Sequence, residues 1–383
     1  MTYSFHNPVK LLVGNGSFSK IGEETANRGK RALIVTYPGP IFEKFANEAM
    51  SHLKDFGIEA TVFAKVMANP MASIVREGAD IAVKENCDVI IGLGGGSAMD
   101  TAKGIAFLAN KEGDIFDYIL GNRSGETALP IILLTTTAGT GSEANNVAVF
   151  TNDTTQEKKG LITPLTFAKT SIIDPYFMAT LPKPLIAGPG LDAMFHAFES
   201  YISVNAHPIS EMYSLTALQL SIENLPKVYN DPTDIESWEK VILANTLAGI
   251  AIGCAGTTVP HALGQPVSGI LDAAHADSLI AVYMPFMRFT APHSPQKFSK
   301  LAELLDCDIK GKTLQEAALM SIQAMDNHIN ILNAHVSLTQ LGVTEEHIDR
   351  LTEMSTNIMG KVLSHNPIVP TKEQVKELYR QSL

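Results

Sequence analysis

An α/β domain followed by an all-α domain is the architecture this sequence predicts, and three observations predict it. Over the first half, short β-branched runs alternate with amphipathic stretches of helical period, the pattern of a parallel sheet covered by helices on both faces. From Leu191 onward the apolar period is helical and no strand rhythm returns. A chain of 383 residues is also long for one core, which favours a split in two. The proline-rich step Leu181-Pro182-Lys183-Pro184 marks the boundary, giving domains 1–181 and 182–383.

In chain order, the strands expected are residues 10–13, 31–36, 59–64, 89–93 and 131–135, each rich in Val, Ile, Leu or Thr. Amphipathic helices are expected at 41–56 and 73–85 between them. In the second half the helical period runs through 210–225, 234–255, 278–291, 295–305, 314–330, 345–357 and 372–381. Neither internal repeats nor low-complexity segments interrupt it.

Composition narrows the class. Hydrophobic residues at 45% and charged residues at 18% suit a well-buried globular protein, and a net charge of −11 argues against nucleic acid or an anionic membrane as partner. Residues 1–20 lack a basic segment followed by an apolar one, so no signal peptide is expected. The apolar run at 241–255 contains Asn245 and Thr246 and is short of a bilayer's thickness, which predicts a buried helix. Cys87, Cys254 and Cys307 are far apart and odd in number, a pattern of neither disulfide scaffold nor thiolate cluster, and a reducing cytoplasm is expected.

Three stretches carry chemistry. Val89-Ile90-Ile91-Gly92-Leu93 runs directly into Gly94-Gly95-Gly96-Ser97-Ala98-Met99-Asp100-Thr101-Ala102-Lys103. A strand, a glycine turn and a helix bring backbone N–H groups close to a phosphate at a helix N-terminus, with Ser97 expected to cap that helix and Asp100 three residues on. The same residues also suit a tight turn with no ligand. Thr135-Thr136-Thr137-Ala138-Gly139-Thr140-Gly141-Ser142-Glu143 follows another apolar strand; its short hydroxyl side chains can hydrogen-bond a nucleotide without crowding it, or simply form a polar turn.

The third stretch, Gly190-Leu191-Asp192-Ala193-Met194-Phe195-His196-Ala197-Phe198-Glu199, follows Pro182, Pro184 and Pro189 and should begin a helix. There Asp192 and His196 share one face at i, i+4. Such a pair is often no more than a solvated face. His261 and His275 lie downstream among small residues, and one Asp with three His makes a four-ligand set for a divalent transition metal. The other histidines, His207, His293 and His365, are read as surface or loop residues.

Together these stretches resemble the iron-dependent (group III) alcohol dehydrogenase family, whose fold is that of dehydroquinate synthases. The resemblance rests on Gly94 to Lys103, Thr136 to Glu143 and Gly190 to Glu199, with Leu341-Gly342-Val343 and Asn366-Pro367 in support. It implies a dinucleotide-binding N-terminal domain, a helical metal-binding domain and a cleft where hydride passes between NAD(P) and a small alcohol or aldehyde. It also implies metal ligation by Asp192, His196, His261 and His275, with iron(II) first and zinc(II) second. The cofactor residues implied are Asn69, Gly94, Gly95, Gly96, Ser97, Asp100, Thr136, Thr137, Thr140 and Lys158, with Tyr37 at the adenosine ribose position. Catalysis would fall to His261 and Lys158, and the protein would be a cytoplasmic homodimer or larger homo-oligomer.

Three departures from the family pattern stand out. Tyr37 replaces the aspartate that NAD-preferring members carry, which predicts that NADP(H) is tolerated or preferred. Gln265 replaces a histidine four residues after His261, and an amide takes up no proton at neutral pH. The last ligand stands in Ala274-His275-Ala276-Asp277 rather than Pro-His-Gly. The alternatives weighed are a non-redox lyase of the dehydroquinate synthase type and a nucleotide-binding protein with a decayed site.

Overall fold

Strands form where the apolar β-branched runs lie, because such side chains fill a pleated surface buried on both faces. In the computed structural model, which describes residues 2–383, they are β1 (Lys10–Val13), β2 (Arg31–Val35), β3 (Glu59–Phe63), β4 (Val89–Gly94), β5 (Ile131–Thr135), β6 (Val147–Thr151), β7 (Lys158–Ile162) and β8 (Thr170–Ile173). Six of them make one parallel sheet in the order β1-β8-β5-β4-β2-β3, and β6 and β7 pair as an antiparallel hairpin. Every residue of β4 and β5 is buried. The hairpin and β8 are additional to the expected strands. β8 hides its strand character behind two polar residues, which the interior satisfies: the Thr170 hydroxyl donates to Glu24 Oε2 at 2.9 Å and the Ser171 hydroxyl to the Glu143 carbonyl at 2.6 Å.

Helices α1 (Ile21–Ala26), α2 (Pro40–Lys54), α3 (Ala72–Lys84), α4 (Gly96–Leu108) and α5 (Ile115–Ile119) complete this first unit, His6–Leu181. Side chains alternate across a strand, and the two cores follow that alternation. Phe45, Ala49 and Leu53 of α2 pack with Ala32, Ile34, Ile91 and Leu93, whereas Ala79 of α3 and Ala102 and Ile105 of α4 pack with Leu33, Val35 and Ile90. The chain therefore leaves β2 onto one face through α2 and β4 onto the other through α4. β2 and β4 are neighbours, Val35 opposite Gly92, so their carboxyl ends bound the sheet's topological switch point, the place where such sheets open a crevice for ligand.

The second unit is helical: α6 (Lys183–Ile202), α7 (Pro208–Asn230), α8 (Ile235–Ala255), α9 (Val259–Leu271), α10 (His275–Thr290), α11 (Pro295–Leu304), α12 (Leu314–Ile331), α13 (Glu345–Glu353), α14 (Gly360–Leu363) and α15 (Lys372–Arg380). It takes in Pro182–Leu383 and, unlike a division at residue 1, the N-terminal residues 2–5: Tyr3 stacks on His207 at 4.4 Å and Phe5 lies 5.8 Å from Tyr213. α6 starts at Lys183, earlier than the prolines suggested. Pro189 forgoes only the bond to the Leu185 carbonyl, at a first turn where Leu185 is exposed. From Gly190 to Ile202 every residue of α6 is buried. Gly190 admits this, since a Cβ there would meet Leu225 of α7 at 2.3 Å.

α8 is long and apolar enough to cross a membrane by length and composition, yet 61% of its most apolar window is buried, and it packs on α6 and α7. α9 went unrecognised in the sequence because Gly264 and Pro266 interrupt its pattern. His207 is a buried residue and not a surface one: its Nδ1 accepts from the Ser210 amide at 3.4 Å and caps α7. His365 is half-buried, 3.1 Å from the Thr257 carbonyl, and His293 is exposed.

His328 in α12 is buried with its Nε2 unpartnered, and burial holds its imidazole down at about 4. The unfolded chain, with an ordinary histidine near 6.5, takes up a proton the folded chain refuses. Stability from this residue is thus intact above about pH 6.5 and is lost as pH falls toward 4, by ~3 kcal/mol at most. Thermal unfolding followed from pH 7 to pH 4.5 should show a smaller acid-induced drop in Tm for His328→Leu than for the wild type. Equal drops would mean that His328 is not the group responsible.

Candidate functional site

Each unit offers one constellation. In the first, β4 ends in Gly94 with φ of 153°, a backbone that favours glycine. A side chain there would strike Ala98 at 2.7 Å and the Tyr37 ring at 2.8 Å, and one on Gly96 would strike Thr140 at 2.5 Å. The glycine turn is therefore bare because Tyr37 and the threonine run lie directly against it. Thr136 donates its amide to the Gly94 carbonyl at 3.0 Å, Thr137 Oγ1 lies 2.9 Å from a Cβ placed on Gly95, and the Thr135 hydroxyl donates to the Thr137 carbonyl at 2.8 Å. Thr136 is buried, while Thr137 and Thr140 are half-buried.

α4 opens with Gly95 at its cap and no side-chain cap bond, so Ser97 is a first-turn residue and not the cap the sequence suggested. Its hydroxyl faces Tyr37 instead. Burial pushes the Tyr37 phenol up, against hydrogen bonding from the Ser97 side chain and from the amides of Ala98 and Ser97. Asp100 does not point to open space. It accepts from the Ser142 hydroxyl at 2.7 Å and from the Val149 amide at 2.9 Å, and burial raises its carboxyl despite the nearby Lys103 ammonium. Lys103, fully buried, donates to the Ser142 carbonyl and hydroxyl at 2.7 Å each and to the Val147 carbonyl at 2.8 Å. Burial lowers it to about 8, opposed by Asp100 and Glu143. Asp100 and Lys103, one turn apart, thus tie the helix of the glycine turn to the hydroxyl run. Lys158 and Asn69, distant in sequence, are joined: buried Lys158 Nζ donates to Asn69 Oδ1 at 2.8 Å, with Asn69 in a left-handed conformation at φ 54°.

In the second unit, Asp192 and His196 project from one face of α6, His261 from the first turn of α9, and His275 from the first residue of α10. Their ligand atoms converge. Asp192 Oδ1 is 3.6 Å from both His196 Nε2 and His261 Nε2, and those two nitrogens are 2.9 Å apart. Single ligand atoms of Asp192, His261 and His275 lie within 4.8 Å of one another. Asp192, His196 and His261 are at most 5% exposed. Lys158 and the threonines belong to the first unit and form no part of this cluster.

Glu199 is the member that sequence reasoning quoted without a role. It lies seven residues past Asp192 and three past His196, on the same helix stripe, and it is wholly buried. Its Oε1 is 2.8 Å from His261 Nδ1, and its Oε2 accepts from the Thr258 amide at 2.7 Å. The i, i+4, i+7 spacing of Asp192, His196 and Glu199 was the available signal. A carboxylate behind a ligating imidazole fixes its tautomer and turns the far nitrogen inward.

The electrostatics fit a cation. Burial disfavours the Asp192 carboxylate, yet the neighbouring imidazoles, His196 foremost, hold it down at about 2. Burial likewise works against a charge on His261, and the Glu199 and Asp192 carboxylates overcome it and raise His261 to about 9. Asp192 Oδ1 is buried with no hydrogen-bond partner, an arrangement that costs ~1–3 kcal/mol or more unless something charged faces the oxygen. Two buried carboxylates and converging ring nitrogens suit a divalent transition ion. Phe195 and Tyr283, stacked at 3.5 Å, give the helix α6 side a dry backing. Gln265 and Asp277 are half-buried; burial raises the Asp277 carboxyl.

A family model described as iron-containing alcohol dehydrogenase matches residues 8–175, and one described as Fe-containing alcohol dehydrogenase family, C-terminal, matches residues 186–383. The choline dehydrogenase of Bacillus subtilis (strain 168) is 34% identical over 355 residues, covering 92% of this chain and 88% of that protein. The NAD-dependent methanol dehydrogenase of Bacillus methanolicus is 30% identical over 383 residues, covering 99% of this chain and 100% of the relative. Among solved structures, an archaeal halo-thermophilic Red Sea brine pool alcohol dehydrogenase matches with a TM-score of 0.95 at 32% identity, covering 100% of this chain and 99% of that one.

Glu199→Gln keeps size and an acceptor for Thr258 but removes the charge behind His261. Metal affinity, measured by competition with a chelator, should fall by about 10–100-fold with an unchanged circular dichroism spectrum. Unaltered affinity would show that Glu199 does not orient His261 for a ligand.

Proposed function

Because the chain belongs to the iron-containing alcohol dehydrogenase family, and so is an oxidoreductase interconverting alcohols and aldehydes, we propose that Asp192, His196, His261 and His275 hold its divalent metal and that residues 94–97 hold a nicotinamide dinucleotide. When bound, the ion supplies Lewis acidity toward the substrate's oxygen and the nicotinamide supplies hydride exchange. The observation that carries this reading is the buried, unpartnered Asp192 Oδ1 facing converging imidazole nitrogens. Iron(II) is the first candidate and zinc(II) the second, since one carboxylate and three imidazoles suit both.

The chain's own residues divide the remaining work. Asp192 brings negative charge to the ion, Glu199 keeps His261 Nδ1 protonated so that Nε2 presents its lone pair, and the surrounding apolar packing keeps bulk water out. On the nucleotide side, the bare glycine turn lets amides approach a pyrophosphate at the start of α4, Thr136, Thr137 and Thr140 offer hydroxyls nearby, and the Lys158–Asn69 pair offers a fixed ammonium. Asp100 contributes by position, through its bonds to Ser142 and Val149. Gln265 can hydrogen-bond substrate but accepts no proton, so it takes no part in proton exchange.

The substrate is a small alcohol or aldehyde, and we place the enzyme in the cytoplasm as a homodimer or larger homo-oligomer; its three cysteines are free thiols. The non-redox lyase and the decayed nucleotide-binding protein are not favoured, since the matched relatives are named as dehydrogenases. Incubation with a panel of small aldehydes, iron(II) or zinc(II) and each reduced cofactor should consume NAD(P)H; binding without turnover would sink the reading. His261→Ala should lower kcat/KM by several orders of magnitude and leave the fold intact. Near-normal turnover in that variant with stoichiometric metal would contradict the ligand assignment.

A further inference from the structure

Beside the glycine turn, on the β2 side of the switch point, lies a pocket of about 420 Å3 whose lining includes Thr36, Tyr37, Glu43, Asn47, Val62 and Ala64. It opens at the carboxyl ends of β2 and β3, next to where β4 enters residues 94–97, and Tyr37 forms a wall shared by both. Its size is within the range of small-molecule sites.

Three features of its chemistry point to a ligand. Thr36 Oγ1 is fully buried with no hydrogen-bond partner, a hydroxyl left for something outside the protein. Glu43 stands in the first turn of α2, its amide bonded to the Gly39 carbonyl at 3.0 Å. Helix side chains lean toward the N-terminus, which carries the Glu43 carboxylate back over the loop that holds Tyr37. Glu43 is exposed and, among the described residues, has no ion-pair partner. No lysine or arginine lines the pocket.

We infer that this pocket receives the adenosine ribose of the dinucleotide and that Glu43 is the residue that rejects a 2′-phosphate, making the protein selective for NAD(H). The inference rests on the reading of residues 94–97 as a pyrophosphate site. Tyr37 removes an aspartate from the end of β2, but a carboxylate returns six residues further on, at Glu43, on the wall of the same pocket. A hydroxyl pair on the ribose finds acceptors in Glu43 and partners in Asn47, whereas a phosphate brings like charge against Glu43 with no guanidinium to offset it. On this inference Glu43 offsets the NADP(H) preference expected from Tyr37 alone.

Equilibrium titration with NADH and NADPH, followed by nucleotide fluorescence, tests this without reference to turnover. The wild type should bind NADH at least about tenfold more tightly than NADPH, and, because Glu43 is exposed, that ratio should shrink at high salt. Glu43→Gln should narrow the ratio, and Glu43→Arg should invert it. Equal affinities in the wild type, or a ratio unmoved by both variants, overturns the inference and leaves the dinucleotide site standing. If neither nucleotide binds, the site is overturned along with it.

Discussion

Burying a carboxylate oxygen with only imidazole nitrogens facing it is the constraint from which the helical unit takes its order. Asp192 Oδ1 sits 3.6 Å from two imidazole nitrogens that themselves face each other at 2.9 Å, and such a cluster is stable only if positive charge resides in it. Protons on the histidines supply some of that charge, with His261 raised to about 9. The proposed divalent ion would supply it in the geometry the side chains already hold. The demand propagates outward. α6 must be buried on all sides to keep Asp192 dry, hence its apolar composition and the close approach of α7 at Gly190, and α9 and α10 must each begin where a first-turn histidine can reach inward.

The α/β unit meets the converse problem, that of keeping a glycine turn bare. Glycines alone do not hold a loop in shape. Here the shape is held from behind by Lys103, a buried ammonium lowered to about 8, whose bonds to the Ser142 and Val147 carbonyls fasten the hydroxyl run to α4. Taking such groups out of water is a poor source of net stability. Asp100 and Lys103 instead select one arrangement of two loops that would otherwise slide, and a positioned loop is what a phosphate site needs.

Much of this was legible in the sequence, for reasons that differ by residue. Periodicity exposed the central strands because β4 and β5 are apolar throughout, and it missed β8 because Thr170 and Ser171 satisfy their polarity across the sheet with Glu24 and Glu143. The Asp192–His196 pair on α6 was visible through its i, i+4 spacing. Glu199 completed the same stripe, but a lone carboxylate carries no signal until His261 is seen 2.8 Å away. His207 shows the opposite error: a histidine beside a proline reads as loop, yet it caps a helix from a buried position. Asp100 read as a cofactor residue from its place in the motif, while its hydrogen bonds run inward to Ser142 and Val149.

The departures at Tyr37 and Gln265 bear differently on the chemistry. Gln265 lies one turn beyond His261 on α9 and cannot exchange a proton, so it alters how the reaction is completed without altering what is bound. Tyr37 packs its ring against Gly94 and shapes the turn itself, so its aromatic bulk is a structural part of the glycine turn. A carboxylate could not fill that space, so a charge facing the neighbouring pocket comes from another element. The first turn of α2 faces the same pocket, and the side chain it presents there is Glu43.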